Sequence, residues 1–291
     1  MLTLFAENDT GKTLIGMDPL LGFDAAEREG TRFVGPFVAI WYLIFMIPFF
    51  LWVREAPKPR VEGDKIRDAL KQLGTTLRNI LKRRSLAAYL LSSMFYRDAL
   101  NALYGFGGVY ATLVLDWSII MIGVFGIVGA ITAAVSAYVG GLFDRRLGPK
   151  PVIIFTILIL ITVCVVIVGM SREMLFGMPL AEGSSLPDII FYVCGAAIGG
   201  AGGALYAASR SMMVRHANPD RPTEAFGLFA LSGKATAFLA PALIGIVSYL
   251  TNSPRIGVSP IILLFLIGLF LLRWVEPEGD RKTWFASLQP S

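Results

Sequence analysis

Seven long apolar runs dominate the pattern of the chain, near Val34–Val53, Leu86–Val114, Ile119–Leu142, Val152–Met170, Ile189–Ala208, Ala225–Leu250 and Gly257–Val275. Crossing the hydrocarbon core of a bilayer takes about 20 mostly apolar residues at about 1.5 Å rise each. Each run meets that requirement. Lipid offers backbone groups no partners, so the runs must be helical. The alternating segments of about ten residues that mark a membrane barrel are absent. The pattern predicts an all-α polytopic membrane protein with seven transmembrane helices. Between the first two runs, over residues 54–85, Ile66, Leu70, Leu73, Leu77 and Ile80 recur at helical spacing. Lys65, Arg67, Lys71, Arg78 and Lys82 fall on the other faces, which predicts a basic amphipathic helix lying on membrane lipids.

Composition sharpens this picture. Hydrophobic residues make up 55% and charged residues 16% of the 291 positions, and the mean hydropathy is +0.65. Soluble domains carry about 25% charged residues, and a water-soluble globule this apolar could not hide its patches. Soluble enzymes and disordered chains are therefore excluded. Two cysteines, Cys164 and Cys194, lie in apolar runs and give no disulfide framework. A lone His216, with no HExxH or CxxC, rules out a histidine-built metal site, and no cofactor is expected.

The net charge of +5 matters less than where it falls. Of the 26 lysines and arginines, 19 lie in one alternate set of loops and five in the other. By the positive-inside rule, connector 54–85 and tail 276–291 are cytoplasmic, and residues 1–33 lie outside. The connector lacks interleaved aromatics, so nucleic acid is not an expected partner. The start, MLTLFAEN, has no basic n-region and too short an apolar run for a signal peptide. It reads as the last turn of a preceding helix, so we expect the chain to begin inside a larger transporter whose N-terminal half is missing.

Three ionisable side chains fall within runs: Arg97, Asp98 and Lys234. Each costs about 2.5–3.5 kcal/mol on insertion scales, so such groups usually face a protein interior or a water-filled cavity. Counting from the cytoplasmic ends, Asp98 lies roughly 18 Å deep and Lys234 roughly 15 Å, so the two can meet. Asn101 can share a helix face with either residue of the Arg97–Asp98 pair, and Tyr96, Tyr104 and Tyr206 add hydroxyls. Two readings compete. In one, Asp98 pairs with Lys234 or Arg97 merely to fasten helices. In the other, these groups line a substrate or proton site. Gly195, Gly199 and Gly203, with Gly200 and Gly202 beside them, predict close helix packing, as do Gly123, Gly126 and Gly129.

Two cytoplasmic stretches add candidates. In GGLFDRRLGPK, Asp144 can face the N-terminus of another helix, and Arg145, Arg146 and Lys150 can form contacts that break when the protein changes state. The second stretch, SRSMMVRHANPDRPTE, holds Arg210 and Glu224. A seven-span receptor or retinal protein is the competing class, but Lys234 lies in the sixth run rather than the last. An intramembrane aspartic protease needs a second mid-span carboxylate, and only Asp98 is found.

The stretch SRSMMVRHANPDRPTEAFGLFALSGKATAFLAP resembles a pattern SRS…P…EFFG…SGKA…GP of the vacuole-effluxer-like branch of the major facilitator superfamily. It matches at Ser209, Arg210, Ser211, Pro219, Glu224, Phe226, Gly227, Ser232, Gly233, Lys234 and Pro241. Tyr96-Arg97-Asp98-Ala99 is similar to the branch's Tyr-x-Asp-Gly, and GGLFDRRLGPK resembles the superfamily loop motif through Gly140, Asp144, Arg145, Gly148 and Lys150. The chain departs from the pattern at Ala99, Tyr206, Ala225 and Ala240, and has one extra residue between Arg145 and Gly148.

The resemblance implies one helix, 34–53, followed by the six-helix C-terminal half of a transporter over 86–275. It implies alternating access around a site near the bilayer midplane. We expect an integral multi-pass protein of a prokaryotic inner membrane. On that reading Arg97, Asp98, Asn101, Tyr206 and Lys234 meet a small polar solute or protons. Gly140, Asp144, Arg145, Gly148, Lys150, Arg210 and Glu224 serve gating. Mixed charge suits a zwitterion such as an amino acid.

Overall fold

A computed structural model of the chain describes residues 12–13, 17–18, 21–24, 27, 29–53, 74, 83–181, 183–218 and 222–279. The expected amphipathic connector helix and the tail beyond residue 279 lie outside the described residues. The chain divides into two units, residues 1–69 and 70–291.

The first unit holds α1 (Glu29–Trp52). Phe33, Phe37, Trp41 and Phe45 recur every four residues, so their rings stack along one face at centroid distances of 6.2, 5.9 and 4.7 Å. Pro36 and Pro48 lie inside the helix.

In the second unit the helices are α2 (Arg84–Leu115), α3 (Ile119–Leu147), α4 (Pro149–Gly169), α5 (Leu186–His216), α6 (Pro222–Ala235), α7 (Leu239–Thr251), α8 (Pro254–Gly257) and α9 (Ser259–Leu271). A short hairpin, β1 (Met174–Leu175) paired with β2 (Met178–Pro179), joins α4 to α5. The molecule is an all-α polytopic membrane protein. Six segments are long and apolar enough to span a membrane: Arg32–Trp52, Ile119–Leu147, Pro149–Gly169, Leu186–His216, Thr223–Thr251 and Pro254–Trp274. The remaining run forms α2, 32 residues long, whose apolarity is lowered by Arg97, Asp98 and Asn101.

Helix α2 is the hub of this unit and packs on α5, α6, α7, α8 and α9. Its Tyr89, Tyr96, Leu100 and Tyr110 are buried with Ile153, Ile157 and Leu160 of α4, Phe191 of α5 and Phe265 of α9. Where α2 crosses α9, the Ser92 hydroxyl donates to the Gly268 carbonyl at 2.7 Å. A methyl group on Gly268 would press on Tyr96, so glycine permits the approach. The α3–α5 contact is closer still. A methyl at Gly199 would overlap the Gly129 carbonyl, and one at Gly203 the Ala133 carbonyl. Small faces let backbones meet where lipid removes the hydrophobic drive. Gly129 thus serves the packing expected of its set, whereas Gly123 and Gly126 face open space.

Helix ends meet in two groups. Ser85, Lys150, Arg215, His216 and segment Val275–Glu278 meet at one end of the unit. Tyr110, Trp117, Met170, Arg172 and Asp188 meet at the other.

Candidate substrate site and gate

The sixth run is not one continuous helix. It breaks at Thr236–Phe238, between α6 and α7. Pro241 supplies the cause, because a proline ring inside a helix clashes with the carbonyl four residues earlier, here Ala237. Pro241 itself lies in the first turn of α7, where its missing N–H does no harm. The first N–H groups of a helix lack internal partners, and those of α7 are all accounted for. Leu239 donates to the Thr236 carbonyl at 2.8 Å, Ala242 donates to the Phe238 carbonyl at 3.0 Å, and Pro241 has none. Ala240 donates to Asp98 Oδ2 at 3.2 Å. A carboxylate from α2 therefore caps the second half of a broken helix, where the helix dipole favours negative charge. Asp98 is only 1% exposed.

Lys234 occupies the last turn of α6, where the dipole favours a cation, and is exposed. Asp98 forms no ion pair with Lys234 or Arg97. Asp98 and Lys234 instead complement the two ends of the break.

Arg97 is fixed by α6. Its Nη1 donates to the Phe229 carbonyl at 2.8 Å, and its guanidinium lies 4.0 Å from the centroid of the Phe229 ring. Gly233 makes room, since a methyl group there would strike the guanidinium. Arg97 Nε is buried with no hydrogen-bond partner among the described residues. Behind Phe229 the stack continues through Tyr89 (6.1 Å) to His216 (5.4 Å), with rings within 7° of parallel.

Ser209 ties this column to α5. Its hydroxyl donates to the Leu205 carbonyl at 2.6 Å and so accepts from Tyr96 at 2.8 Å, while Tyr89 donates to the Ser209 carbonyl. One turn further along α2, the Tyr206 hydroxyl donates to Asn101 Oδ1 at 2.5 Å. The exposed Tyr104 lies over Gly202, where a methyl would overlap its hydroxyl. Arg210, one turn beyond Tyr206 on α5, is exposed.

At the end that holds Ser85 and Val275, Lys150 donates to the Val275 carbonyl at 2.7 Å. Arg215 donates to the Pro277 carbonyl and pairs with Glu278, both at 3.2 Å, beside Gly148 at φ +84°. His216, buried, bonds to the Met212 carbonyl through Nδ1 and to Ser85 through Nε2, and Ser85 accepts from the Glu276 N–H. The loop motif thus holds the C-terminal segment through Lys150. Gly140 is buried against Ala204. Arg145 is exposed, and Glu224 lies half-buried in the first turn of α6. Asp144 meets no helix N-terminus, its Oδ1 being buried without a partner among the described residues.

The structure brings Tyr206 onto Asn101 and sets Arg97 against Phe229 and Gly233, while the Lys234 side chain is exposed. Asp98 turns away into the α7 cap. Sequence reasoning missed Tyr89, His216 and the clasp at the opposite end of the unit, in which Asp188 Oδ1 accepts from Trp117 Nε1 and Arg172, each at 2.6 Å. Pro241 was the available signal for the break. The clasp had none, because its partners are distant in sequence. Among the described residues no group of three or more His, Cys, Asp or Glu side chains is placed to hold a metal.

Residues 20–283 match the family model described as vacuole effluxer Atg22 like. An uncharacterized MFS-type transporter, YxiO, of Bacillus subtilis is 26% identical over 241 residues, covering 82% of this chain and 52% of that protein. Autophagy-related protein 22-2 of Neosartorya fischeri is 25% identical over 270 residues, covering 88% of this chain and 44% of its own length. The chain spans about half the length of these relatives. No solved structure matches it closely enough to compare. The chain belongs to the Atg22-like vacuole effluxer family, a branch of the major facilitator superfamily.

Proposed function

We propose that this chain is the C-terminal half of a secondary active permease that moves a small polar solute by alternating access, working with an N-terminal half. The observation that carries the reading is the broken helix at mid-span, capped from α2 by Asp98 beside a polar face. Secondary transporters place their sites at such discontinuous helices, near the bilayer midplane. The names of the relatives support the same reading, YxiO being called an MFS-type transporter.

In this scheme Arg97, Asn101, Tyr206 and Lys234 contact the solute. Asp98 takes up a proton, which removes the charge that holds the first turn of α7 and lets the break change shape. The cytoplasmic contacts of Lys150 and Arg215 with segment 275–278 open and close the inner side. An amino acid is the cargo that the family resemblance suggests, with its carboxylate on Arg97 and Lys234. The membrane is a prokaryotic inner membrane. A receptor or retinal reading would want Asp98 and Lys234 paired, and among the described residues they are not.

The test is flux through proteoliposomes of the permease containing this half. Asp98→Asn should abolish uptake driven by a pH gradient, and Lys234→Ala should weaken uptake at every pH. Unchanged flux and unchanged pH response in both variants would overturn the reading.

A further inference from the structure

We infer that the hairpin Met174–Pro179 is a membrane foot, its tip set at the boundary between lipid headgroups and acyl chains. The path of the chain brings it there. Beyond Gly169, the last residue of α4, the chain turns over Ser171–Glu173, where the Ser171 N–H donates to the Met174 carbonyl at 2.8 Å. It then comes back. Leu175 bridges Met170, and the Phe176 N–H donates to the Gly169 carbonyl at 2.7 Å. The tip therefore lies beside the last turn of α4. The 21 residues of α4 span about 30 Å, the thickness of the hydrocarbon core, so that turn sits at the boundary.

The surface that the tip joins is the outer stripe of α4. Exposed Pro151, Phe155, Leu158, Thr162 and Val165 recur every three or four residues, and Gly169 is the next position on the same stripe. Ile153, Ile157, Leu160 and Cys164, on the other side, are buried. Helix α4 packs on α3, α5 and α9, is the most apolar of the six spans, and carries none of the residues assigned to the solute. Its outer stripe faces lipid. Phe176 continues that stripe from the hairpin, because its ring lies where a side chain on Gly169 would stand. The ring is still 56% exposed, and Met178 beside it 62%.

Turn chemistry points the same way. Phe176 at φ +50° and Gly177 at φ +84° are successive left-handed residues, the arrangement of a two-residue hairpin turn that favours Asn-Gly. A bulky residue is uncommon there. Asparagine would suit a turn in water, whereas an aromatic ring suits the edge of a bilayer. Charge is kept to the root of the hairpin, at Glu173 and at Arg172, which pairs with Asp188 of α5. A polar root and an apolar tip match the headgroup layer and the acyl chains beneath it.

The experiment reads depth. Phe176→Cys, Met178→Cys and Glu173→Cys variants of the permease containing this half are labelled with the fluorophore NBD in phosphatidylcholine liposomes, the native cysteines Cys164 and Cys194 being buried. Emission from positions 176 and 178 should be blue-shifted from that at 173, and aqueous iodide should quench it several-fold less. Phosphatidylcholine spin-labelled near the glycerol should quench it more than the same lipid spin-labelled at the chain end. Met178 is exposed, so its variant carries the test if Phe176→Cys opens the hairpin. Equal iodide quenching at all three positions would place the tip in water and overturn the inference. Protection from iodide without quenching by either lipid would mean that a protein surface covers the tip, which overturns it too. Transport enters neither readout, so failure of the permease reading would leave the foot standing.

Discussion

The Asp98 carboxylate on α2 accepts the Ala240 N–H at 3.2 Å and so holds the first turn of α7 across a helix–helix interface. Lys234 sits on the other side of the same break, in the last turn of α6. Two charges that depth alone would pair are kept apart by a discontinuity in the backbone. Each is stabilised by the end of a half-helix.

Removing the cap separates its structural from its coupling role. Asp98→Ala should destabilise the chain by about 1–3 kcal/mol, since a buried N–H loses its acceptor. Asp98→Asn keeps an acceptor oxygen and should retain most of that stability while losing the titratable charge. Thermal unfolding read beside pH-driven flux checks both. Equal loss of stability in the two variants would show that charge, not hydrogen bonding, holds the turn.

The glycines make a contrast of sign. Gly199→Ala drives a methyl group into the Gly129 carbonyl and should cost about 1–3 kcal/mol by overpacking. Gly126→Ala meets nothing within 4 Å and should stabilise α3 by about 0.5–1 kcal/mol, the usual gain of alanine over glycine in a helix. Unfolding temperatures of the two variants, measured in one detergent, test the close α3–α5 approach directly.

Ser209 should matter through Tyr96. Ser209→Ala leaves the buried Tyr96 hydroxyl without its acceptor and should cost about 1–3 kcal/mol, whereas the Tyr89 bond goes to the Ser209 backbone and survives. Adding Tyr96→Phe should recover part of the loss. A double-mutant cycle showing strictly additive effects would deny the contact.

At the end of the unit remote from Ser85 and Val275, Asp188→Ala removes the acceptor shared by Trp117 and Arg172. The Arg172 side chain is 41% exposed, so that ion pair adds little stability by itself. The buried indole N–H carries more of the cost. Hydrogen exchange in segment 170–179 should quicken while the amides of α4 stay protected.

Much of this fold was legible in the sequence because membrane insertion makes simple demands. Length and apolarity marked the spans. The glycines of α5 announced a close helix neighbour, although the sequence could not say that Gly129 and Ala133 would be its partners. Depth placed Asp98 and Lys234 at one level but carried no information about backbone continuity. The run of apolar residues around Pro241 hid the break, because hydropathy does not register a missing N–H. Ser209 matched a motif whose physical role emerged only when Tyr89 and Tyr96 converged on it. His216 looked like an isolated histidine, and only the meeting of three chain segments gave it partners.

The most direct test of the central claim is whether Asn101, Tyr206 and Lys234 border water inside the membrane. Cys164 and Cys194 are buried, so the native thiols give little background to a water-borne methanethiosulfonate reagent. Asn101→Cys, Tyr206→Cys and Lys234→Cys should each react in membranes holding the permease, and the transported solute should slow the reaction. Phe155→Cys and Leu158→Cys, at exposed apolar positions of α4, should stay unmodified in lipid. Labelling at Phe155 and Leu158 equal to that at Asn101 and Lys234, or none at the polar face, would contradict the account.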